Sequence, residues 1–162
     1  MDPQIVTKPE MKVIGYQIRT TIKDNRNQTE VPAFWDRYLE QNLGSRIPNA
    51  VNRGTELGIC MEFNSETGTF AYVIGMEVDC FDNAEPDMVC VTIPKSQYAV
   101  FTTSKVLESD FVPSIHRTWN YIFDEWFPTS GYRHAGTPEI EINDERLLNK
   151  QEMQMEIWIP VL

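Results

Sequence analysis

The chain has 162 residues, of which 41% are hydrophobic and 23% charged, and its net charge is −10. This is enough for one domain with a core. The acidic excess argues against direct binding to nucleic acid, which needs clustered Lys and Arg, and is compatible with a cationic ligand or with simple solubility. No segment approaches the roughly 20 apolar residues of a membrane helix, and no signal peptide is apparent, so we expect a cytoplasmic protein.

Cysteine and histidine positions argue against a metal site. Cys60, Cys80 and Cys90 form no Cys-x-x-Cys pair, and we expect reduced thiols. His116 and His134 do not lie at ligand spacings from these cysteines. The glycine patterns of dinucleotide and nucleotide sites are absent, as is the nucleophile elbow of common hydrolases. The sequence therefore predicts no metal and no cofactor.

The first part of the chain predicts a strand and a helix. Residues 1–10 are expected to be a lead-in, and apolar and polar residues then alternate over about 11–21, as in a strand. Thr29 is expected to cap a helix, with Pro32 in its first turn and Gly44 ending it. The apolar face of this helix has residues at steps of three and four: Val31, Phe34, Trp35, Tyr38, Leu39 and Leu43.

Further strands follow this helix. The alternating runs 56–63 and 70–78 flank a turn and predict a hairpin. Another strand begins at Val89. Pro94 interrupts it, which we interpret as a bulge or kink, and the strand then resumes through Thr102.

The second helix is expected to begin at Ser109 or Asp110 and to stop at Pro128. Its apolar stripe is wide: Val112, Ile115, Trp119, Ile122, Phe123 and Trp126. Beyond the next strand, residues 144–151 are expected to form a loop and residues 153–160 the last strand.

The strand after the second helix carries carboxylates in alternation with isoleucines. Glu139, Glu141 and Asn143 are expected on one face, and Ile140 and Ile142 on the other. The isoleucine face is expected to be buried. If the other face meets water, this is an ordinary strand; if it meets an aromatic cavity, Glu141 is a buried anion that requires a cation.

The order of these elements repeats. Residues 11–78 and about 88–160 each read β-α-β-β, which predicts two pseudo-symmetric modules within a single α+β domain, residues 1–162. We expect an antiparallel sheet, one helix from each module and a ligand cleft between the modules.

Three segments carry a resemblance to a known family. Residues 126–132 (WFPTSGY), 136–145 (GTPEIEINDE) and 156–161 (EIWIPV), together with the helix start at 32–35 (PAFW), resemble the GyrI-like small-molecule-binding family. This family includes the effector-binding domains of multidrug-sensing bacterial transcription activators and stand-alone gyrase-inhibitory proteins. The resemblance implies a fold of two β-α-β-β modules.

The resemblance also implies a site. The family's acidic residue, which pairs with lipophilic cations in an aromatic pocket, corresponds to Glu141, and Asn143 stands where many members have an aromatic residue. About ten residues precede the first strand, too few for a helix-turn-helix, so we expect a free-standing drug-sensing or sequestering protein. The candidate pocket walls are aromatic, although each residue taken alone is more consistent with core packing: Trp119, Phe123, Trp158, Trp35 and Tyr98.

Other functions stay open at this point. Some members of the family hydrolyse strained, cyclopropane-type electrophiles, and Glu141 would then be the general base. The gyrase-inhibitory members make DNA gyrase a second alternative partner. Exposed strands also allow a homodimer.

Overall fold

The computed structural model describes residues 2–145 and 148–162. The loop expected at 144–151 therefore lies partly outside the described residues. The described strands are β1 Gln4–Lys8, β2 Met11–Thr21, β3 Thr55–Met61, β4 Thr69–Val78, β5 Val89–Ile93, β6 Ser96–Thr102, β7 Glu139–Asp144, β8 Leu148–Asn149, β9 Glu152–Met153 and β10 Glu156–Pro160. The α-helices are α1 Asn27–Glu40, α2 Phe111–Tyr121 and α3 Phe127–Ser130, and a π turn, Ile122–Trp126, joins the last two. None of these described helices is long and apolar enough to span a membrane.

Eight strands form one antiparallel sheet in the order β1-β6-β10-β7-β3-β4-β2-β5. The strands of the first module lie in the order β3-β4-β2, and those of the second in the mirrored order β7-β10-β6. The predicted pair of β-α-β-β modules in an α+β fold is thus confirmed. Strands β3 and β7 pair at the centre, so the modules meet there.

The sheet is strongly curled. In a flat sheet β1 and β2 would lie about 29 Å apart, six steps of about 4.8 Å. Only Pro9 and Glu10 link them, and such a link reaches about 11 Å. β5 and β6 are also six steps apart in the sheet, and only Pro94 and Lys95 link them. The two edges of the sheet must therefore bend toward each other.

This curl corrects two expectations. Residues 1–10 are not merely a lead-in, because β1 pairs with β6 along its length. Pro94 does not kink a single strand: β5 pairs with β2 of the first module, whereas β6 pairs with β10 of the second. β1, which precedes β2 in the chain, therefore forms the edge of the sheet beside the second module. β5, which precedes β6, forms the edge beside the first module.

The boundaries of α1 also differ from the expectation. The helix begins at Asn27, two residues before Thr29, so Thr29 lies inside the helix and does not cap it. The turn before the helix is made by Asp24 and Asn25, whose left-handed φ angles short polar residues tolerate. Pro32 consequently lies inside the helix.

The ends of both helical segments were predicted only approximately. Asn42, with φ of 51°, follows α1, and Gly44 belongs to the next 3-10 turn. Pro128 does not stop the second helix: it lies in the first turn of α3, where a proline is tolerated, and Gly131 ends the segment with φ of 80°.

The core has three parts. One cluster fills the inside of the curl: Val13, Leu57, Ile59, Val73, Ile93, Tyr98, Val100, Ile140 and Ile142. On the other face, α1 covers the first module through Phe34 and Tyr38, and the second helical segment covers the second module through Ile122 and Trp126. The two helices therefore lie side by side on one face of the sheet.

We predict that Gly15→Ala destabilises the fold by about 2 kcal/mol, because Gly15 and Gly75 face each other across β2 and β4 and a Cβ there meets backbone of the opposite strand. Urea denaturation measures the loss. Gly54→Ala is the control, since its Cβ meets side-chain atoms of Glu145 and Asn52. Equal stability of the two variants would contradict this account of the strand contact.

Candidate functional site

A cavity of about 1190 Å³ lies between α1 and α2, above the central strands β3 and β7. Trp35 of α1 lines it from the first module. Trp119 of α2, Phe123 of the π turn and Glu141 of β7 line it from the second. This volume accommodates a drug-sized ligand.

Each helix presents two neighbouring apolar stripes. On α1, Phe34 and Tyr38 pack on the sheet, whereas Val31, Trp35 and Leu39 line the cavity.

The second helical segment divides in the same way. Ile122 and Trp126 are buried in the core, and the remaining members of the predicted stripe line the cavity: Val112, Ile115, Trp119 and Phe123. Trp119 and Phe123 stack with ring centroids 6.0 Å apart and planes 7° from parallel. Phe123 nevertheless remains 45% exposed, so it offers ring surface to a ligand.

Glu141 is buried on the helix-facing side of the sheet and is only 8% exposed. Its Oε1 accepts a hydrogen bond from the Tyr72 hydroxyl at 2.5 Å, and its Oε2 accepts one from Trp119 Nε1 at 3.0 Å. Trp35 Nε1 donates to the Tyr72 oxygen at 2.9 Å. A chain of hydrogen bonds therefore runs from α1 through β4 and β7 to α2.

Gly58 makes this chain possible. It lies in β3 between Tyr72 and Glu141, directly paired with Glu141. A Cβ at this position would meet the Tyr72 hydroxyl oxygen and would lie 3.0 Å from Glu141 Oε1. Tyr72 can reach the carboxylate, two strands away, because Gly58 has no side chain to obstruct it.

The environment of Glu141 favours its neutral form. Burial raises the pKa of Glu141, the hydrogen bonds from Tyr72 and Trp119 oppose that rise, and the charge of Glu139 adds to it. Burial and the Glu141 charge raise the pKa of Tyr72, which keeps its hydroxyl protonated and able to donate.

The lining of the cavity is strongly acidic. Among the described residues it includes eight carboxylates and a single guanidinium, that of Arg53. Glu139 Oε2 lies 3.5 Å from His134 Nε2, and Cys60 is a free thiol whose pKa burial raises. No group of three or more His, Cys, Asp or Glu in the described ranges is arranged to hold a metal ion.

Two of the predicted wall residues lie elsewhere. Tyr98 and Trp158 pack against each other inside the curl, with ring centroids 5.6 Å apart, and neither lines the cavity. The register explains this: Trp158 pairs with Ile140, whose side chain points away from the helices, and Ile157 pairs with Glu141. Their assignment to the same site as Glu141 was wrong.

Sequence reasoning missed Tyr72 and Gly58. Tyr72 belongs to the apolar face of a buried strand and looks like an ordinary core residue. The available signal was Gly58, a glycine inside an alternating strand, which often marks a close approach by another group. Identifying that group as Tyr72 requires the strand order.

The family comparison agrees with this architecture. The family model described as Cass2, integron-associated effector binding protein, matches residues 4–161. The chain belongs to this family. The GyrI-like effector-binding fold inferred from the sequence is confirmed. Comparison with curated protein sequences gives no significant match.

Solved structures with low sequence identity share the fold. SAV2435, solved bound to tetraphenylphosphonium, is 17% identical with a TM-score of 0.80, over 100% of this chain and 94% of that chain. The Vibrio cholerae integron cassette protein VCH_CASS2 is 17% identical with a TM-score of 0.68, over 99% of this chain and 96% of that chain. The EcmrR C-terminal domain is 16% identical with a TM-score of 0.60, over 100% of this chain and 99% of that chain.

We predict that Tyr72→Phe raises the pKa of Glu141 further and costs about 1–3 kcal/mol of stability, because the carboxylate and Trp35 each lose a partner. Carboxyl NMR titration and urea denaturation measure the two effects. Tyr16→Phe is the matched control, since the Tyr16 hydroxyl has no hydrogen-bond partner among the described residues. An unchanged Glu141 pKa in Tyr72→Phe would contradict the hydrogen-bond assignment.

Proposed function

We propose that this protein binds lipophilic aromatic cations in the cavity between α1 and α2, with the Glu141 carboxylate as counter-charge, in a sensing or sequestering role. The observation that carries the proposal is a buried carboxylate without a basic partner in the described residues: both hydrogen-bond donors, Tyr72 and Trp119, are neutral. A desolvated anion is costly until a cation approaches it.

The walls of the cavity support the same ligand class. The faces of Trp35, Trp119 and Phe123 supply apolar area together with a negative quadrupole. Cation–π attraction contributes on the order of 1–2 kcal/mol for each desolvated ring. The surplus of lining carboxylates adds a negative potential that attracts cations into the site.

A protein of the same fold supports the cationic ligand class. SAV2435 was solved with tetraphenylphosphonium, a lipophilic cation that carries four phenyl rings. We transfer this ligand class, not the individual compound, to the present chain. Hydrolysis and gyrase binding are not part of the proposal, because no contact in the described residues favours either of them.

We predict that tetraphenylphosphonium quenches tryptophan fluorescence saturably and that Glu141→Gln weakens its binding by about 30-fold or more. Removing one partner of a buried charge pair costs about 2 kcal/mol or more. Calorimetry gives both dissociation constants. Glu77→Gln, which removes an exposed carboxylate outside the cavity, is the matched control and should bind normally. Wild-type affinity in Glu141→Gln would rule out charge pairing.

We also predict that the affinity for tetraphenylphosphonium falls as pH is lowered from about 8 to 5. The cation binds the ionised carboxylate, and because burial raises the pKa of Glu141 in the free protein, this carboxylate takes up its proton at a higher pH than an ordinary glutamate. Calorimetric titrations at several pH values provide the measurement. In Glu141→Gln the affinity should depend much less on pH. An equal pH dependence in both proteins would assign the effect to other carboxylates.

A further inference from the structure

A second, smaller cavity opens beside the main one. It has a volume of about 230 Å³ and lies at the C-terminal end of α1. Leu39, Arg53 and Glu56 line both cavities, so the two are neighbouring compartments with a common boundary. A ligand in the main cavity therefore has Glu56 in its lining and the smaller cavity directly beside it.

Two polar atoms at this boundary lack partners. The hydroxyl of Tyr38, whose side chain is only 1% exposed, and Oε2 of Glu56 are both buried without a hydrogen-bond partner in the described part of the chain. Buried polar groups are normally hydrogen-bonded, and leaving one without a partner destabilises the fold. Tyr38 and Glu56 both line the small cavity.

The nearby charges do not supply the missing partner. Arg53 directs its guanidinium to backbone, donating to the carbonyl oxygens of Gly44 and Ile47. Glu145 is the other charged group acting on Glu56, and it is also acidic. Burial raises the pKa of Glu56, and the neighbouring Tyr38 hydroxyl opposes that rise, so Tyr38 stands to Glu56 as Tyr72 stands to Glu141: a neutral group that does not balance the charge. The boundary between the cavities is thus a second acidic position, lined by Glu56 on both sides, to which no cation of the described residues is hydrogen-bonded.

The register sets the spacing of Glu56 and Glu141 along the strands. Glu56 pairs with Asn143 and Gly58 pairs with Glu141, so Glu56 and Glu141 are diagonal neighbours on the same face of β3 and β7. Diagonal neighbours in an antiparallel pair lie about 7–8 Å apart. A ligand with two positive groups at about this distance would match both.

We propose that Glu56 and Tyr38 form a second cation subsite and that the preferred ligands are elongated amphiphiles carrying a protonated amine in addition to the lipophilic cation. The amine would donate to the Glu56 carboxylate and to the Tyr38 oxygen, while the lipophilic cation lies at Glu141. This inference rests on the proposed function, since it assumes that the main cavity binds the aromatic cation.

The test compares two probes that differ in one group, (5-aminopentyl)triphenylphosphonium and (5-hydroxypentyl)triphenylphosphonium. Their tails have equal length, and only the amine is charged. We expect the wild-type protein to bind the amine probe about tenfold more tightly by calorimetry at neutral pH, as for one charge-assisted hydrogen bond.

Four variants locate this preference. Glu56→Gln should abolish the preference for the amine while leaving the affinity for the hydroxyl probe within about twofold. Tyr38→Phe should reduce the preference for the amine probe. Glu62→Gln, which removes an exposed carboxylate that also lines the main cavity, should keep the preference. Glu141→Gln should weaken both probes and leave the ratio unchanged.

The outcomes separate the two proposals. Equal affinity of the wild-type protein for both probes, or a preference that survives in Glu56→Gln, would overturn the second subsite and leave the proposed function intact. A loss of preference in Glu62→Gln as large as in Glu56→Gln would also overturn it, because a diffuse negative field would then suffice. Absence of binding by either probe would refute the proposed function and this inference with it.

Discussion

A carboxylate enclosed by neutral hydrogen-bond donors is the feature on which the site depends. Tyr72 and Trp119 hold both oxygens of Glu141 in place but cannot neutralise its charge. Burial raises the pKa of Glu141, so its ionisation costs more free energy than that of an exposed glutamate, and a nearby positive group would offset that cost. This cost is the physical basis of the proposed preference for cations. The two donors come from strand β4 and helix α2, so the position of the carboxylate depends on both elements.

The two helices serve the core and the cavity at the same time. Phe34 and Ile122 are fully enclosed against the sheet, whereas the adjacent stripes that include Trp35 and Trp119 remain only partly buried. A helix on one face of a sheet needs a single apolar stripe, so the extra width provides the cavity walls. Since the modules are related by pseudo-symmetry, the same division occurs twice and the cavity has aromatic residues on both sides.

Much of the architecture was predictable from local patterns. The alternation in β2 and β4, the hairpin of β3 and β4 and the repeated module order all appear in the structure. The errors arose where long-range pairing decides the outcome: β1 was missed, and β5 and β6 were taken as one interrupted strand. Tyr98 was placed in the wrong compartment for a related reason, because the curl of the sheet determines which aromatic residues share an enclosure.

The sequence by itself determined that Glu141 points away from Ile140 and Ile142, because side-chain parity in a strand depends only on neighbouring residues. Only the tertiary structure decided what Glu141 meets there. Tyr72 and Trp119 come from two other elements, and Gly58 from a third leaves the space between them. Their convergence depends on strand order and on the placement of α2, which are long-range properties that no local pattern contains.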